Sequence, residues 1–177
     1  LSLVGSEMCI RDRVKQNFAR VIVVMNVGGM VDTSWFHDDA QIQSVLMAWQ
    51  GGMEGGLATA ELLAGEGNPS GKLSDTFARE LNDYPSTYNF HESEKYVEYT
   101  DDIYVGYRYF ETIPGAKEKV NYPFGFGLSY TQFTLGESQI SIEGDQIRCM
   151  VSVTNTGAMA GKEVVQAYYR APQGRLG

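Results

Sequence analysis

The segment Tyr122–Thr131, with the sequence YPFGFGLSYT, alternates two phenylalanines with two glycines directly after a proline. Pro123 has a fixed φ angle and keeps the tyrosine before it extended. The two glycines can adopt backbone angles that other residues avoid, so Phe124 and Phe126 can point in different directions. A flexible linker would instead carry serine, threonine and charge. The segment therefore predicts a rigid joint between two folded units, with both phenylalanine rings mostly buried.

The sequence before this joint has the pattern of an α/β fold. Arg20–Val27 and Val45–Trp49 are apolar runs without alternation, which is typical of strands buried on both faces of a parallel sheet. Asp38–Ser44, ahead of the second run, is compatible with either a strand or a helix. Met53–Ala64 predicts a helix that Gly65 ends in a left-handed conformation. Strand, strand and helix in this order favour an α/β fold with a mainly parallel sheet.

A second, shorter helix is predicted over Ile103–Glu111. Asp101 or Asp102 would cap its N-terminus, and a Pro-Gly pair follows its end. Arg108 lies between two tyrosines, where a buried and unpaired charge would be costly. We therefore expect Arg108 to bind a carboxylate or loop carbonyls, with Asp101 as the first candidate.

After the joint the apolar pattern changes to a period of two. Gln139–Glu143, Ile147–Thr154 and Glu163–Arg170 are predicted strands, and turn-forming residues separate them. This part of the chain is therefore expected to be an antiparallel β structure.

Composition excludes several classes of function. Of the 177 residues, 43% are hydrophobic and 20% are charged, as in globular proteins. The net charge of -8 argues against a nucleic-acid partner, since phosphate binding needs a basic patch. Cys9, Cys149, His37 and His91 form neither a disulfide framework nor a zinc-binding spacing. No apolar run approaches the roughly 18 residues of a membrane span, so no membrane partner is expected.

Three motifs occur in a specific order: NPSGKL at Asn68–Leu73, GYRYF at Gly106–Phe110, and the joint itself. Together they resemble glycoside hydrolase family 3, the β-glucosidase-like enzymes, over roughly Phe18 to Arg170. The resemblance implies a partial (α/β)6-type sandwich over residues 14–131. It also implies a truncated β-sandwich, similar to fibronectin type III domains, over residues 132–177.

The two ends of the chain fit this resemblance less well. Leu1–Arg13 matches none of the family's motifs and has no clear periodicity, so we expect a non-native leader there. A fibronectin-type sandwich needs about 100 residues, more than residues 132–177 supply. The chain is therefore expected to be a fragment cut off inside a domain, with exposed apolar surface and low stability.

The resemblance also bears on catalysis. A retaining glycosidase needs two carboxyl groups about 5–5.5 Å apart. In the family, the nucleophile lies on a separate barrel domain, and the acid/base glutamate precedes the strand matched by Val21–Val27. We therefore expect no catalytic residue, no cofactor and no metal in this chain, with the carbohydrate substrate binding through the parent enzyme's barrel. The carboxylates considered instead for structural roles are Glu54, Glu61, Asp75, Glu92, Glu94, Glu98, Asp101 and Asp102.

Two alternative functions stay open. Trp35 and Trp49 could stack on a sugar in a non-catalytic carbohydrate-binding or scaffold module, although each lies beside a strand-like run that favours core packing. The second alternative is a nucleotide-binding α/β domain, which the glycines of Gly28-Gly29 and Gly51–Gly56 would suggest. Neither glycine segment matches G-x-G-x-x-G or G-x-x-x-x-G-K-[ST]. Oligomeric state and cellular compartment have no signal in the sequence.

Overall fold

A computed structural model describes residues 5–170. The chain divides into two units: the first holds the residues up to 67 together with 73–127, and the second holds 68–72 and the residues from 128 onward. The helices and strands, in chain order, are α1 (Gly5–Asn17), β1 (Val21–Met25), α2 (Ser34–His37), β2 (Ile42–Met47), α3 (Gly55–Ala64), β3 (Phe77–Ala78), α4 (Tyr107–Thr112), β4 (Val120–Tyr122), β5 (Phe133–Leu135), β6 (Gln139–Glu143), β7 (Gln146–Met150) and β8 (Val153–Asn155).

In the first unit, β1 and β2 pair in parallel, which confirms both predicted strands and their direction. Their burial differs from the prediction, because Ile22 and Val24 on β1 are 57% and 40% exposed. An unbroken apolar run shows that both faces of a strand are apolar. It does not show that a layer covers each face.

Asp38–Ser44, for which the sequence left helix and strand open, leads into a strand. The short helix α2 ends before it at His37, and β2 begins at Ile42. The predicted helix after β2 is confirmed as α3, which starts two residues later than expected. At its end Gly65 has φ 77° and its N–H donates to the Leu62 carbonyl, while the Glu66 N–H donates to the Glu61 carbonyl. These are the two bonds of a Schellman motif.

The helix expected from Ile103 begins later, at Tyr107, so its predicted start and caps are wrong. Gly106, with φ 60°, directly precedes α4. Asp101 and Asp102 lie in a turn before it and cap no helix; Asp102 itself has φ 47°. A left-handed glycine therefore sets the start of this helix, and an aspartate cap does not.

The largest apolar cluster of the first unit forms around β3, α4 and β4. Phe110 is 2% exposed and packs with two buried alanines, Ala78 and Ala116. β3 and β4 pair antiparallel next to them. The Tyr84 hydroxyl donates to the Thr76 carbonyl and accepts from the Ala78 N–H, at 3.0 and 2.7 Å. It thereby satisfies two backbone groups at the edge of the short strand.

Helix α1 covers most of the segment that was expected to lack periodicity, and it continues past the predicted boundary after residue 13. Its side chains from residue 9 to residue 17 are all exposed or half-buried, so no buried apolar stripe anchors this part of the helix. Its contacts are polar: Lys15 pairs with Asp39, and the Gln41 side chain donates to the Lys15 carbonyl at 3.1 Å. Between residues 5 and 170, no helix is both long and apolar enough to cross a bilayer.

In the second unit, β5 pairs with β8 and β6 pairs with β7, all antiparallel. The predicted strand Gln139–Glu143 is confirmed, and the long strand Ile147–Thr154 is interrupted, so that β7 ends at Met150. The strand predicted over Glu163–Arg170 is wrong, because this segment has no regular secondary structure. Apolar alternation alone does not make a strand; a hydrogen-bonded neighbour is also required.

Candidate functional site

The expected pair between Arg108 and Asp101 does not form. Arg108 is exposed, and its guanidinium has no hydrogen bond or ion pair to any residue that the structure describes. Asp101 lies outside α4, in the turn that precedes it. Water solvates an exposed guanidinium, and the burial penalty that motivated the prediction is absent. One carboxylate oxygen of Asp101, Oδ1, is buried without a hydrogen-bond partner among the described residues.

The other candidate carboxylates have structural or solvated positions. Glu54 directly precedes α3 and makes no side-chain cap bond. Asp75 accepts a hydrogen bond from the neighbouring Ser74 hydroxyl at 3.1 Å. Glu92, Glu94 and Glu98 are exposed, as expected for an acidic loop. Within residues 5–170, no three histidine, cysteine, aspartate or glutamate side chains are grouped so that they could hold a metal ion.

The first sequence motif, at Asn68–Leu73, supplies a polar side chain that makes three hydrogen bonds within the second unit. Asn68 Oδ1 accepts hydrogen bonds from the Ser129 hydroxyl and the Tyr130 N–H, both at 2.9 Å. Its Nδ2 donates to the Ala160 carbonyl, also at 2.9 Å. An amide can make about four hydrogen bonds, so Asn68 uses most of its capacity. The motif therefore fastens residues 68–72 to chain segments far along the sequence.

Two glycines make room for this network. A Cβ on Gly161 would lie 2.4 Å from Asn68 Nδ2, and a Cβ on Gly157 would lie 2.3 Å from Thr131 Oγ1. The Thr131 hydroxyl in turn donates to Asn155 Oδ1 at 2.7 Å. Because real Cβ atoms are not found so close to other heavy atoms, larger residues at these positions would displace the polar side chains.

The same motif contributes an ion pair. Lys72 Nζ lies 3.1 Å from Glu163 Oε1, and both side chains are mostly covered. The Val164 N–H also donates to Glu163 Oε1 at 2.8 Å. The Val164 N–H and the Lys72 ammonium both lower the pKa of the Glu163 carboxyl.

The aromatic joint is less buried than predicted. The Phe124 ring lies 5.0 Å from the Tyr107 ring, and the Phe126 ring lies 5.2 Å from the Tyr122 ring. Phe124 is half-buried, and Phe126 is 37% exposed. Gly125 has φ 80°, as its predicted role requires. The division between the two units falls within this segment, after residue 127.

The two tryptophans are half-buried and do not belong to the fully buried core. Trp35 packs edge-on against Phe36 with 4.9 Å between ring centroids. The Trp49 ring lies 6.5 Å from that of Phe77, a residue that is 2% exposed. Trp49 has φ 54°, a left-handed backbone that is rare for a bulky residue.

A wide, open depression of about 630 Å³ lies between β2 and the start of α3. Its walls are mostly apolar, with Met47, Ala58 and Leu62 among them, and its one charged lining residue is Glu54. A phosphate group would meet a carboxylate there and no basic side chain. A helix N-terminus can hold a phosphate, but the Glu54 carboxylate directly precedes α3 and would repel the anion, which argues against the nucleotide-binding alternative.

Comparisons with known proteins identify the family of this chain. Residues 1–130 match the model of the glycosyl hydrolase family 3 C-terminal domain. The chain therefore belongs to glycoside hydrolase family 3, as the three motifs indicated.

Individual relatives agree with this assignment. The chain is 62% identical to β-glucosidase A of Butyrivibrio fibrisolvens, over 99% of this chain and 23% of that protein. It is 46% identical to a β-glucosidase of Ruminococcus albus, over 99% of this chain and 18% of that protein. The chain thus spans less than a quarter of the length of these relatives.

Solved structures show the same similarity in three dimensions. A β-glucosidase from Paenibacillus barengoltzii superimposes with a TM-score of 0.80 at 46% identity, covering 88% of this chain and 17% of that one. β-Glucosidase 3B from Thermotoga neapolitana, solved in complex with α-D-glucose, gives a TM-score of 0.78 at 36% identity, covering 88% and 22%. The arrangement described here is therefore that of the corresponding parts of β-glucosidases.

Proposed function

We propose that this chain is part of a larger retaining β-glucosidase that releases terminal β-linked glucose through a covalent glycosyl-enzyme intermediate. The observation that carries the proposal is the 62% identity to β-glucosidase A of Butyrivibrio fibrisolvens over 99% of the chain. Within that enzyme, residues 14–131 would belong to an (α/β)6-type sandwich. Residues 132–177 would begin a sandwich similar to fibronectin type III domains.

The chemistry of a retaining glycosidase requires a nucleophile at the anomeric carbon and an acid on the leaving oxygen. Asp101 and Asp102 lie in a turn, Glu54 precedes a helix, and the acidic loop is exposed. The positions of these carboxylates favour a structural role over a catalytic one. The role proposed for the chain is therefore to complete and support an active site whose catalytic carboxyl groups lie in other parts of the enzyme, without a cofactor.

An assay with an activated aryl β-glucoside tests both parts of this proposal. The 177-residue chain should show no turnover above the blank. General acid–base catalysis alone accelerates a reaction only roughly 10²–10⁴-fold. The same chain with Asp101→Asn and Asp102→Asn is the matched control. Turnover that disappears in this double variant would place the chemistry on these residues and overturn the non-catalytic role.

The longer enzyme, assayed with the same substrate, tests the glucosidase assignment itself. It should hydrolyse the β-glucoside and retain the anomeric configuration of the released sugar. Hydrolysis of a different glycoside only, or inversion of configuration, would contradict the proposed activity.

A further inference from the structure

The carboxyl ends of the parallel strands β1 and β2 form a distinct edge of the first unit. Open α/β sheets bind their ligands outside this edge. Trp49 follows β2 at this position, and its N–H and that of Ala48 both donate to the Met25 carbonyl at the end of β1, at 3.2 and 3.0 Å. The backbone of Trp49 is thereby fixed to both strands.

Trp49 combines a strained backbone with a supported side chain. A left-handed conformation is unfavourable for a non-glycine residue, and such strain clusters at ligand sites. The indole lies near the buried ring of Phe77, yet Trp49 itself is only half-buried. The indole therefore has support from the core together with surface that is open to solvent.

Two amide side chains lie at the same edge. Asn26 follows β1, Gln50 follows Trp49, and both are exposed. Gln50 Nε2 lies 2.8 Å from the position of a Cβ on Gly28, so its amide rests against backbone that only glycine leaves free. Neither amide has a hydrogen-bond partner among the residues that the structure describes. Both can therefore bond to a ligand without first breaking a contact.

We propose that Trp49, Asn26 and Gln50 form a subsite for a neutral pyranose. The indole would stack on the C–H face of the sugar ring, since aromatic rings offer large apolar area at low entropic cost. The two amides would exchange hydrogen bonds with its hydroxyl groups. The chemical class of this ligand rests on the proposed β-glucosidase function, whereas the position of the subsite rests on the geometry of the sheet edge.

Tryptophan emission tests the subsite directly, because the chain contains only two tryptophans. The Trp35→Phe variant reports on Trp49, and Trp49→Phe reports on Trp35. Titration of the full 177-residue chain at micromolar concentration with methyl β-glucoside should give a saturable change in the first variant and none in the second. Sorbitol, which has hydroxyl groups and no pyranose face, is the control ligand. A response in Trp35→Phe that is absent, non-saturable or equal for sorbitol would overturn the proposal.

The amides are tested in the Trp35→Phe background. Gln50→Ala should weaken the apparent affinity about fivefold, the effect of losing one hydrogen bond. Gln43→Ala, which removes another exposed glutamine at the opposite end of β2, near its start, should leave it unchanged. Equal effects of the two substitutions would remove Gln50 from the subsite.

This test fails separately from the proposed function. If the longer enzyme hydrolyses β-glucosides while Trp49 does not respond, the subsite is wrong and the glucosidase assignment stands. If Trp49 responds to methyl β-glucoside while the longer enzyme cleaves only another glycoside, the subsite stands and the glucosidase assignment is wrong.

Discussion

Different forces stabilise the interior of each of the two units of this chain. Among the described residues, every buried hydrophobic side chain belongs to the first unit: Phe36, Ile42, Phe77, Ala78, Phe110 and Ala116. In the second unit the buried side chain is Thr131, a polar residue that bonds to Asn155. Apolar burial therefore dominates the first unit, and directional hydrogen bonds around Asn68 and Thr131 dominate the second.

The second unit is not poor in apolar residues. Ile140, Ile142 and Ile147 share one face of the β6–β7 hairpin, because Ile142 pairs with Ile147 and Ile140 pairs with Cys149. These isoleucines are 67–76% exposed. The difference between the units thus lies in which apolar faces are covered. Alternation of residue types predicts a strand, but it does not indicate whether the apolar face of that strand is covered.

The largest expected effect is in the first unit, from Phe110→Ala. Removing a ring that is 2% exposed should lower the free energy of unfolding by about 3–5 kcal/mol. Urea denaturation followed by tryptophan emission measures it, since Trp35 and Trp49 both belong to this unit. Phe90→Ala, which removes a ring that is 67% exposed, should have little effect. Similar losses in the two variants would show that the first unit has no apolar core of the kind described.

In the second unit the largest effect should come from Asn68→Ala. Loss of three hydrogen bonds, each worth about 0.5–1.5 kcal/mol, should destabilise this unit by about 2 kcal/mol. Hydrogen exchange of the amides between residues 131 and 156 should speed up, while tryptophan emission should change little. A loss larger than that of Phe110→Ala would reverse the ranking of the two units.

A graded substitution sharpens this result. Asn68→Asp keeps the oxygens that accept from Ser129 and Tyr130 but loses the donor to the Ala160 carbonyl. It should therefore have an intermediate effect. If Asn68→Asp equals Asn68→Ala, the lost bond to the Ala160 carbonyl and the repulsion between the two oxygens together outweigh the bonds to Ser129 and Tyr130.

The local elements of the first unit were largely predictable from residue types. The apolar runs give β1 and β2, and the glycine after Ala64 ends α3 as expected, because these features depend on neighbours within a few residues. The start of α4 was mispredicted because Gly106 takes a left-handed angle that competes with the aspartate cap. α1 was missed because it has no apolar periodicity and its contact, Lys15 with Asp39, is distant in sequence.

Long-range polar contacts could not be predicted in the same way. The NPSGKL motif stands out in the sequence, but its function as a hydrogen-bonding centre depends on partners 61–92 residues away. Trp49 was predicted within a strand-like run that favours core packing, but it follows β2 and is half-buried. Its left-handed backbone and its position beside Asn26 and Gln50 follow from the pairing of β1 with β2. The periodicity of the sequence does not determine the register of that pairing.

A smaller effect tests whether hydrogen bonds also matter in the first unit. Tyr84→Phe removes the hydroxyl that bridges the Thr76 carbonyl and the Ala78 N–H, and should destabilise the unit by about 1 kcal/mol. Tyr88→Phe, at a residue that is 78% exposed, is the matched control. A loss from Tyr84→Phe close to that from Phe110→Ala would mean that polar contacts rival apolar burial there, contrary to the contrast drawn between the units.

The smallest expected effect concerns Glu163 and pH. Its pKa is lowered in the folded chain, first by the Val164 N–H and then by Lys72, so the unfolded chain binds the proton more readily. The resulting stabilisation is therefore complete above the unfolded pKa of about 4.3 and declines as the pH falls below it. Glu163→Gln should cost about 0.5–1 kcal/mol at pH 7 and should flatten the acid dependence of hydrogen exchange in the second unit. Glu137→Gln, at an exposed glutamate of the same unit, should leave that dependence intact. An unchanged acid profile in Glu163→Gln would show that the ion pair with Lys72 adds nothing to the hydrogen bonds around Asn68, and that the second unit is held by neutral contacts alone.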